Sequence, residues 1–240
     1  MKISLDWVKD YVAVGASAET LAERLTMAGL EVKAVEKGPG DDRVLEIEIT
    51  SNRPDWLSHV GVARELGALF GRKLILPERE KSRRRNGKAI AVEIAARDLC
   101  PYYSACLLEG VEAGPAPDFM CRRLEAVGLR PVNLVVDVTN YVLLEMGQPL
   151  HAFDWDRLSG KGIFVRRAKE GEPMRAINGE KYALKAGDLA ITDYDHPIAI
   201  AGVMGGIESE VGPATRNILL ESAYFSPPAI RTWATSSPSI

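Results

Sequence analysis

The fold turns on residues 44–50, Val44-Leu45-Glu46-Ile47-Glu48-Ile49-Thr50, and on the turn and helix directly after them. After Val44 the stretch alternates: Leu45, Ile47 and Ile49 fall on one face and Glu46 and Glu48 on the other, the period of a half-buried strand. It runs into Ser51-Asn52-Arg53-Pro54-Asp55, a turn in which Pro54 fixes φ and Asn52 can bond its own backbone. Ser58 then opens a helix expected to reach Phe70, with Gly71 as its stop. Upstream, Leu5, Val8 and Val12 recur at helical spacing, and Trp7 and Tyr11 widen that face. Ser17 caps a second predicted helix over Glu19–Met27, closed by Gly29. Gly38-Pro39-Gly40-Asp41-Asp42 reads as a tight connection between strand-like segments. Residues 1–80 therefore read as a small α/β unit.

Further along, Glu78–Lys88 is charged and has no apolar anchor, which marks it as a domain linker; its Arg83-Arg84-Arg85 run is either solvated or a contact for RNA phosphate. From residue 88 onward short strand candidates dominate: Ala89–Ala95, Tyr103–Glu109, Ile163–Arg167, Leu189–Thr192, Ile198–Ala201 and Ile218–Glu221. Helices are expected across Pro117–Val127, ending at Gly128, and Val136–Met146, ending at Gly147. Strands with segregated helices predict an α+β class: the small N-terminal unit, then a larger mixed-sheet domain over 88–240. The last stretch, Thr232–Ile240, has no periodicity and is expected to be a loose tail.

Composition narrows the class. The 240 residues are 46% hydrophobic and 26% charged, the balance of a globular protein. A net charge of −3 argues against a chain held to nucleic acid by bulk charge alone, without excluding a local basic patch. No apolar run approaches the ~20 residues that cross a bilayer, and Asp6 interrupts the N-terminus before a signal-peptide core could form. Cys100, Cys106 and Cys121 are odd in number and lack CxxC spacing, which favours reduced cytosolic thiols over a zinc site or disulfide framework. A soluble, cytoplasmic protein is expected.

Generic catalytic patterns are missing. There is no GxSxG, HExxH or GxxxxGK[ST], which removes support for a serine-hydrolase elbow, a zincin and a P-loop NTPase. Ala201-Gly202-Val203-Met204-Gly205-Gly206 lacks the dinucleotide spacing, so its glycines more naturally let a small substrate or terminal nucleotide approach the backbone. Of the three histidines, His59 begins a helix and His196 precedes Pro197. His151 is distinguished by its surroundings: Asp137, Thr139, Asn140 and Tyr141 on a helix, then a Gly-Gln-Pro break. Such a cluster is either a binding pocket or a set of structural hydrogen-bonders. Glu221 ends the apolar run Ile218-Leu219-Leu220. A carboxylate there either pairs with a structural cation or accepts from a ligand hydroxyl, and a buried acceptor discriminates sharply against a ligand lacking that hydroxyl.

Taken together, Leu25–Val32, Ile49–Glu65, Val135–Asp154 (VVDVTNYVLLEMGQPLHAFD), Met204-Gly205-Gly206 and Leu219–Pro227 resemble the N-terminal region of the bacterial phenylalanyl-tRNA synthetase β subunit, in the family's order over about residues 1–231. The resemblance implies an editing domain that hydrolyses tyrosine wrongly esterified to phenylalanine tRNA. It implies that Arg130, Thr139, Asn140 and His151 line the pocket, that Gly205 forms its glycine wall and that Glu221 receives the tyrosine hydroxyl. His151, Asn140 and Thr139 would be the catalytic residues, and Glu221, Gly205 and Arg130 the substrate-binding ones. An aminoacyl ester is already activated, so orienting one water and stabilising developing charge suffices, without a metal or covalent nucleophile. No cofactor is expected in this chain; ATP and Mg belong to the complete ligase. The implied partners are the 3′ end of tRNA(Phe) and a synthetase α subunit, with neither membrane nor DNA.

Two departures from the family bear on function. The family inserts a tRNA-binding barrel of the oligonucleotide-binding fold where this chain has only Gly38–Asp42, and it continues past the Phe-Ser-Pro segment into a pocket-completing stretch where this chain reads Thr232–Ile240. In the family the α subunit carries aminoacylation, so the resemblance implies that this chain alone does not charge tRNA. Three readings stay open: an editing hydrolase, a non-catalytic module binding tRNA or a synthetase partner, and an inactive remnant whose tail is a frameshift product.

Overall fold

The computed structural model describes residues 1–77 and 90–236, divided between two compact units. The first holds residues 1–77 and Pro115–Pro149; the second holds residues 90–114 and 150–236. The expected linker Glu78–Lys88 lies outside the described residues, as does the end of the chain after Ser236. A single boundary near residues 80–88 is replaced by a division in which the chain passes between the units again at 114/115 and 149/150.

In the first unit, β1 (Lys2–Ser4), β2 (Val32–Lys37) and β3 (Arg43–Ile47) form an antiparallel sheet in the order β1-β3-β2. The expected strand is β3, shorter than 44–50 by its last three residues, with Leu45 and Ile47 buried and Glu46 exposed. The Gly38–Asp42 connection closes a hairpin, Gly38 N–H donating to the Asp42 carbonyl at 3.0 Å. Asp42 also accepts from Ser4 Oγ at 2.6 Å and from the Asp6 amide at 2.9 Å, which fixes the hairpin against the N-terminus. Only four of the N-terminal residues make a regular helix, α1 (Leu5–Val8), although Trp7, Tyr11 and Val12 are buried as the spacing predicts. α2 (Ala18–Met27) and α3 (His59–Phe70) start on the Ser17 and Ser58 caps and stop at the expected glycines.

α4 (Asp118–Ala126) and α5 (Leu134–Met146) complete this unit. Met120, Leu124 and Tyr141 join the core built from Ile3, Trp7, Leu25, Leu45, Trp56 and Leu66. That apolar face is the physical reason the two helices belong here rather than to the domain expected over 88–240. Burying such side chains contributes about 1.5–3 kcal/mol each. α5 begins two residues before its predicted start because the Asn133 side chain accepts from the Val135 and Val136 amides.

In the second unit, β4 (Ala91–Ile94), β7 (Gly162–Arg167), β10 (Leu189–Thr192), β11 (Pro197–Ile200) and β12 (Met204–Gly205) form a mixed sheet in the order β12-β11-β10-β7-β4, with only the β4–β7 pair parallel. β10 and β11 are buried throughout. A second sheet, ordered β5-β13-β6, joins β5 (Tyr102–Glu109), β13 (Asn217–Tyr224) and β6 (Leu150–Asp154). β8 (Glu172–Arg175) and β9 (Lys181–Leu184) make a hairpin. α6 (Pro227–Ser236) replaces the first part of the expected loose tail: Trp233 is 4% exposed and packs its ring 5.6 Å from that of Tyr182. Trp233 thus anchors this helix in the cluster with Met174, Leu184 and Ile200. The class is α+β, as expected.

Candidate functional site

Glu221 sits inside β13 rather than at its end, because the strand continues to Tyr224. It faces His151 on β6 and Ala105 on β5 across the two antiparallel ladders. Tyr103, opposite Ala223, is its diagonal neighbour on the same face of the sheet. The Tyr103 hydroxyl donates to Glu221 Oε2 at 2.8 Å. Both residues are buried. Burial pushes the Glu221 carboxyl up to about 7, while the Tyr103 hydrogen bond pulls it the other way. The same setting holds the Tyr103 phenol well above its ordinary value, through burial first and then the Glu221 charge. Cys100, also buried, is pushed up to about 11 by burial and by Glu221.

His151 lies on β6, directly after the Gly-Gln-Pro break. Its ring meets Phe153 edge-on with centroids 4.6 Å apart. Burial lowers its pKa to about 4, so the imidazole is neutral at neutral pH and keeps a lone pair free to accept a proton. Gly205, on β12, brings backbone against that ring: a Cβ there would lie 2.8 Å from His151 Cε1 and Nε2. A close approach does require glycine at this position, and the group that approaches is a side-chain ring of the chain itself. The structure brings together His151, Gly205 and Glu221 of the expected set. It adds Tyr103 and Cys100, which sequence reasoning missed. Tyr103 was visible as a tyrosine opening a strand, but strand pairing alone shows which carboxylate it reaches.

Arg130, Thr139 and Asn140 belong to the first unit. Arg130 is exposed between α4 and α5. Thr139 and Asn140 are half-buried in α5, and Thr139 Oγ1 donates to the Val136 carbonyl at 2.8 Å. Two polar residues that helped to mark this neighbourhood have structural roles. The Tyr141 hydroxyl accepts from Arg123 Nη1 at 2.6 Å, and its ring packs on Trp7. Asp137 Oδ1 accepts the Val132 amide at 2.9 Å; its buried Oδ2 has no partner among the described residues. Among the described residues no group of three or more His, Cys, Asp or Glu side chains is placed to hold a metal. No described helix is long and apolar enough to cross a membrane.

Residues 99–237, which contain Tyr103, His151, Gly205 and Glu221, match the B3/4 domain. The chain belongs to the B3/4 domain family. It is 52% identical over 191 residues to the phenylalanine–tRNA ligase β subunit of Gloeobacter violaceus, an alignment covering 80% of this chain and 24% of that protein. The corresponding subunit of Thermotoga maritima is 48% identical over 202 residues, covering 84% and 26%. That of Rhodopirellula baltica is 42% identical over 236 residues, covering 98% of this chain and 34% of the relative. A crystal structure of an N-terminal fragment of the phenylalanyl-tRNA synthetase β subunit from Pyrococcus horikoshii superposes with a TM-score of 0.51 at 16% identity, over 95% of this chain and 69% of that one, a likeness of fold. The chain accordingly spans about a quarter to a third of the length of the β subunits it matches. These alignments bear out the resemblance drawn from VVDVTNYVLLEMGQPLHAFD and its companion segments.

Proposed function

We propose that this B3/4 domain is an editing module that hydrolyses tyrosine from tRNA(Phe). The observation that carries the reading is Glu221, a buried acceptor directly opposite a neutral His151 whose ring is backed by Gly205. Phenylalanine and tyrosine differ by one hydroxyl. A buried carboxylate oxygen left without a donor by the phenylalanine side chain costs about 1–3 kcal/mol, which is enough for a selective site.

The hydrolysis runs on a single water. Its oxygen bonds to the ester carbonyl carbon while His151 takes its proton. The tetrahedral intermediate then collapses with cleavage of the carbon–oxygen bond to the terminal ribose, and the ribose oxygen recovers the proton from His151. Tyrosine and uncharged tRNA are the products. Arg130, Thr139 and Asn140 enter this reading through the family resemblance alone. The tRNA 3′ end is the proposed nucleic-acid partner, a synthetase α subunit the proposed protein partner, and the cytoplasm the proposed location.

Purified chain is expected to release tyrosine from Tyr-tRNA(Phe) faster than phenylalanine from Phe-tRNA(Phe). Equal rates would overturn selective editing. Binding of tRNA without hydrolysis would establish the non-catalytic module in its place.

A further inference from the structure

Tyr103 touches the candidate acceptor directly and has no role in the hydrolysis itself. β5 and β13 pair with Tyr103 opposite Ala223 and Ala105 opposite Glu221, so the diagonal from phenol to carboxylate is set by two paired backbones rather than by a mobile loop. The hydroxyl reaches one carboxylate oxygen, Oε2, at 2.8 Å. Both side chains are buried, where a hydrogen bond to an ionised group is stronger and shorter than a neutral one.

We propose that Tyr103 is a positioning residue: its hydroxyl occupies Glu221 Oε2, holds the carboxylate in one orientation and keeps it an acceptor, which assigns Oε1 to the para-hydroxyl of an incoming aromatic amino-acid ester. This inference rests on the editing reading for its ligand, but not for its geometry.

The surroundings of Glu221 leave this task to Tyr103. Among the described residues, the titratable groups facing it are Tyr103 and Cys100 from the β5 side and His151 from β6. Burial keeps the Cys100 thiol and the His151 imidazole neutral near pH 7, so neither offsets a carboxylate charge. Burial also drives Glu221 towards its protonated form, and the Tyr103 bond opposes it. A protonated Glu221 would have lost the charge that makes a hydroxyl's bond to it strong. Without the phenol the acceptor would stay protonated over a wider pH range and lose its fixed direction.

The test titrates the Glu221 carboxyl by carbon-13 NMR in the full chain, its signal assigned by loss in Glu221→Gln, and measures the ratio of tyrosine to phenylalanine release from the two charged tRNAs. Tyr103→Phe is expected to move the Glu221 midpoint up by about one pH unit or more and to lower the release ratio about tenfold at neutral pH. Site-specific 3-fluorotyrosine at position 103, a more acidic donor that retains the hydroxyl, is expected to move the midpoint down; it also serves if Tyr103→Phe does not fold. A purely structural tyrosine would not give opposite shifts. A midpoint unmoved by both replacements overturns the proposal, as does, in a chain whose wild type prefers tyrosine, a moved midpoint with an unchanged release ratio. A wild-type chain without tyrosine preference counts against the editing reading, whereas opposite titration shifts in that chain still support Tyr103 as the residue that sets the acceptor.

Discussion

Gly205 and His151 are in such close approach that any side chain on the first would collide with the ring of the second: a Cβ would stand 2.8 Å from both Cε1 and Nε2. Gly205→Ala must therefore displace the imidazole or the β12 backbone, an overpacking that costs about 1–3 kcal/mol. Tyrosine release is expected to fall at least about tenfold, because misplacing a reacting group by a fraction of an ångström is expensive in rate. Circular dichroism melts and single-turnover hydrolysis separate the two effects. Unchanged hydrolysis in a folded variant would remove His151 from the chemistry.

The acid–base balance of the second unit predicts how stability varies with pH. Glu221 titrates near 7 in the folded chain against an ordinary 4.5. Its folded value is raised, so its contribution is fully present below 4.5 and is lost as pH rises through 7, by roughly 3 kcal/mol. Glu221→Gln should flatten that slope, so its deficit relative to wild type shrinks or reverses between pH 5 and pH 8 in urea titrations. A wild-type chain equally stable across that interval, once the variant's curve is subtracted, would show the carboxyl to be unburied.

His59 gives the opposite sign in the first unit. Its Nδ1 lies 2.8 Å from the Leu144 carbonyl, its Nε2 accepts the Ser4 amide at 3.1 Å, and its ring stacks 3.9 Å from that of Trp7. Burial lowers it to about 4 from 6.5. The stability it contributes is present above 6.5 and is lost as pH falls towards 4, because the unfolded chain takes up the proton first. His59→Ala leaves a cavity and strands two backbone groups, at a cost of about 3–5 kcal/mol at pH 7. The variant's deficit should narrow at pH 5. A loss below about 1 kcal/mol would mean that this histidine is not what ties α5 to the N-terminal strand.

Local structure was legible in the sequence wherever one signal sufficed. Ser17, Ser58, Gly29, Gly71 and Gly147 each mark an end found in the structure, because a cap or a left-handed glycine is decided within one turn of chain. The motif segments single out His151, Gly205 and Glu221 in the sequence itself. What stayed hidden depended on long-range pairing. β6 has no alternation to announce it, and its strand character comes from the ladder with β13 that sets His151 opposite Glu221. The Tyr103–Glu221 bond joins residues 118 positions apart, and only the β5–β13 register fixes which tyrosine reaches the carboxylate. α4 and α5 were legible as helices, but not as members of the first unit, because an apolar face does not name the core that will cover it.

Trp233 tests the part of the chain that the sequence left without structure. It is 4% exposed, shares a cluster with Met174, Ala176, Leu184, Ala190 and Ile200, and meets Tyr182 edge-on. A buried tryptophan cut back to alanine loses its transfer free energy and leaves a cavity that the β8–β9 hairpin can only partly close, a cost of about 3–5 kcal/mol. Trp233→Ala is therefore expected to lower the melting temperature by roughly 6–20 °C, at about 2–4 °C per kcal/mol for a chain of this size. Trp233→Phe, which keeps an aromatic ring against Tyr182, should recover most of the loss. If alanine at this position leaves the melt within about 1 °C of wild type, α6 is not docked on the hairpin and the segment behaves as the loose tail its sequence suggested.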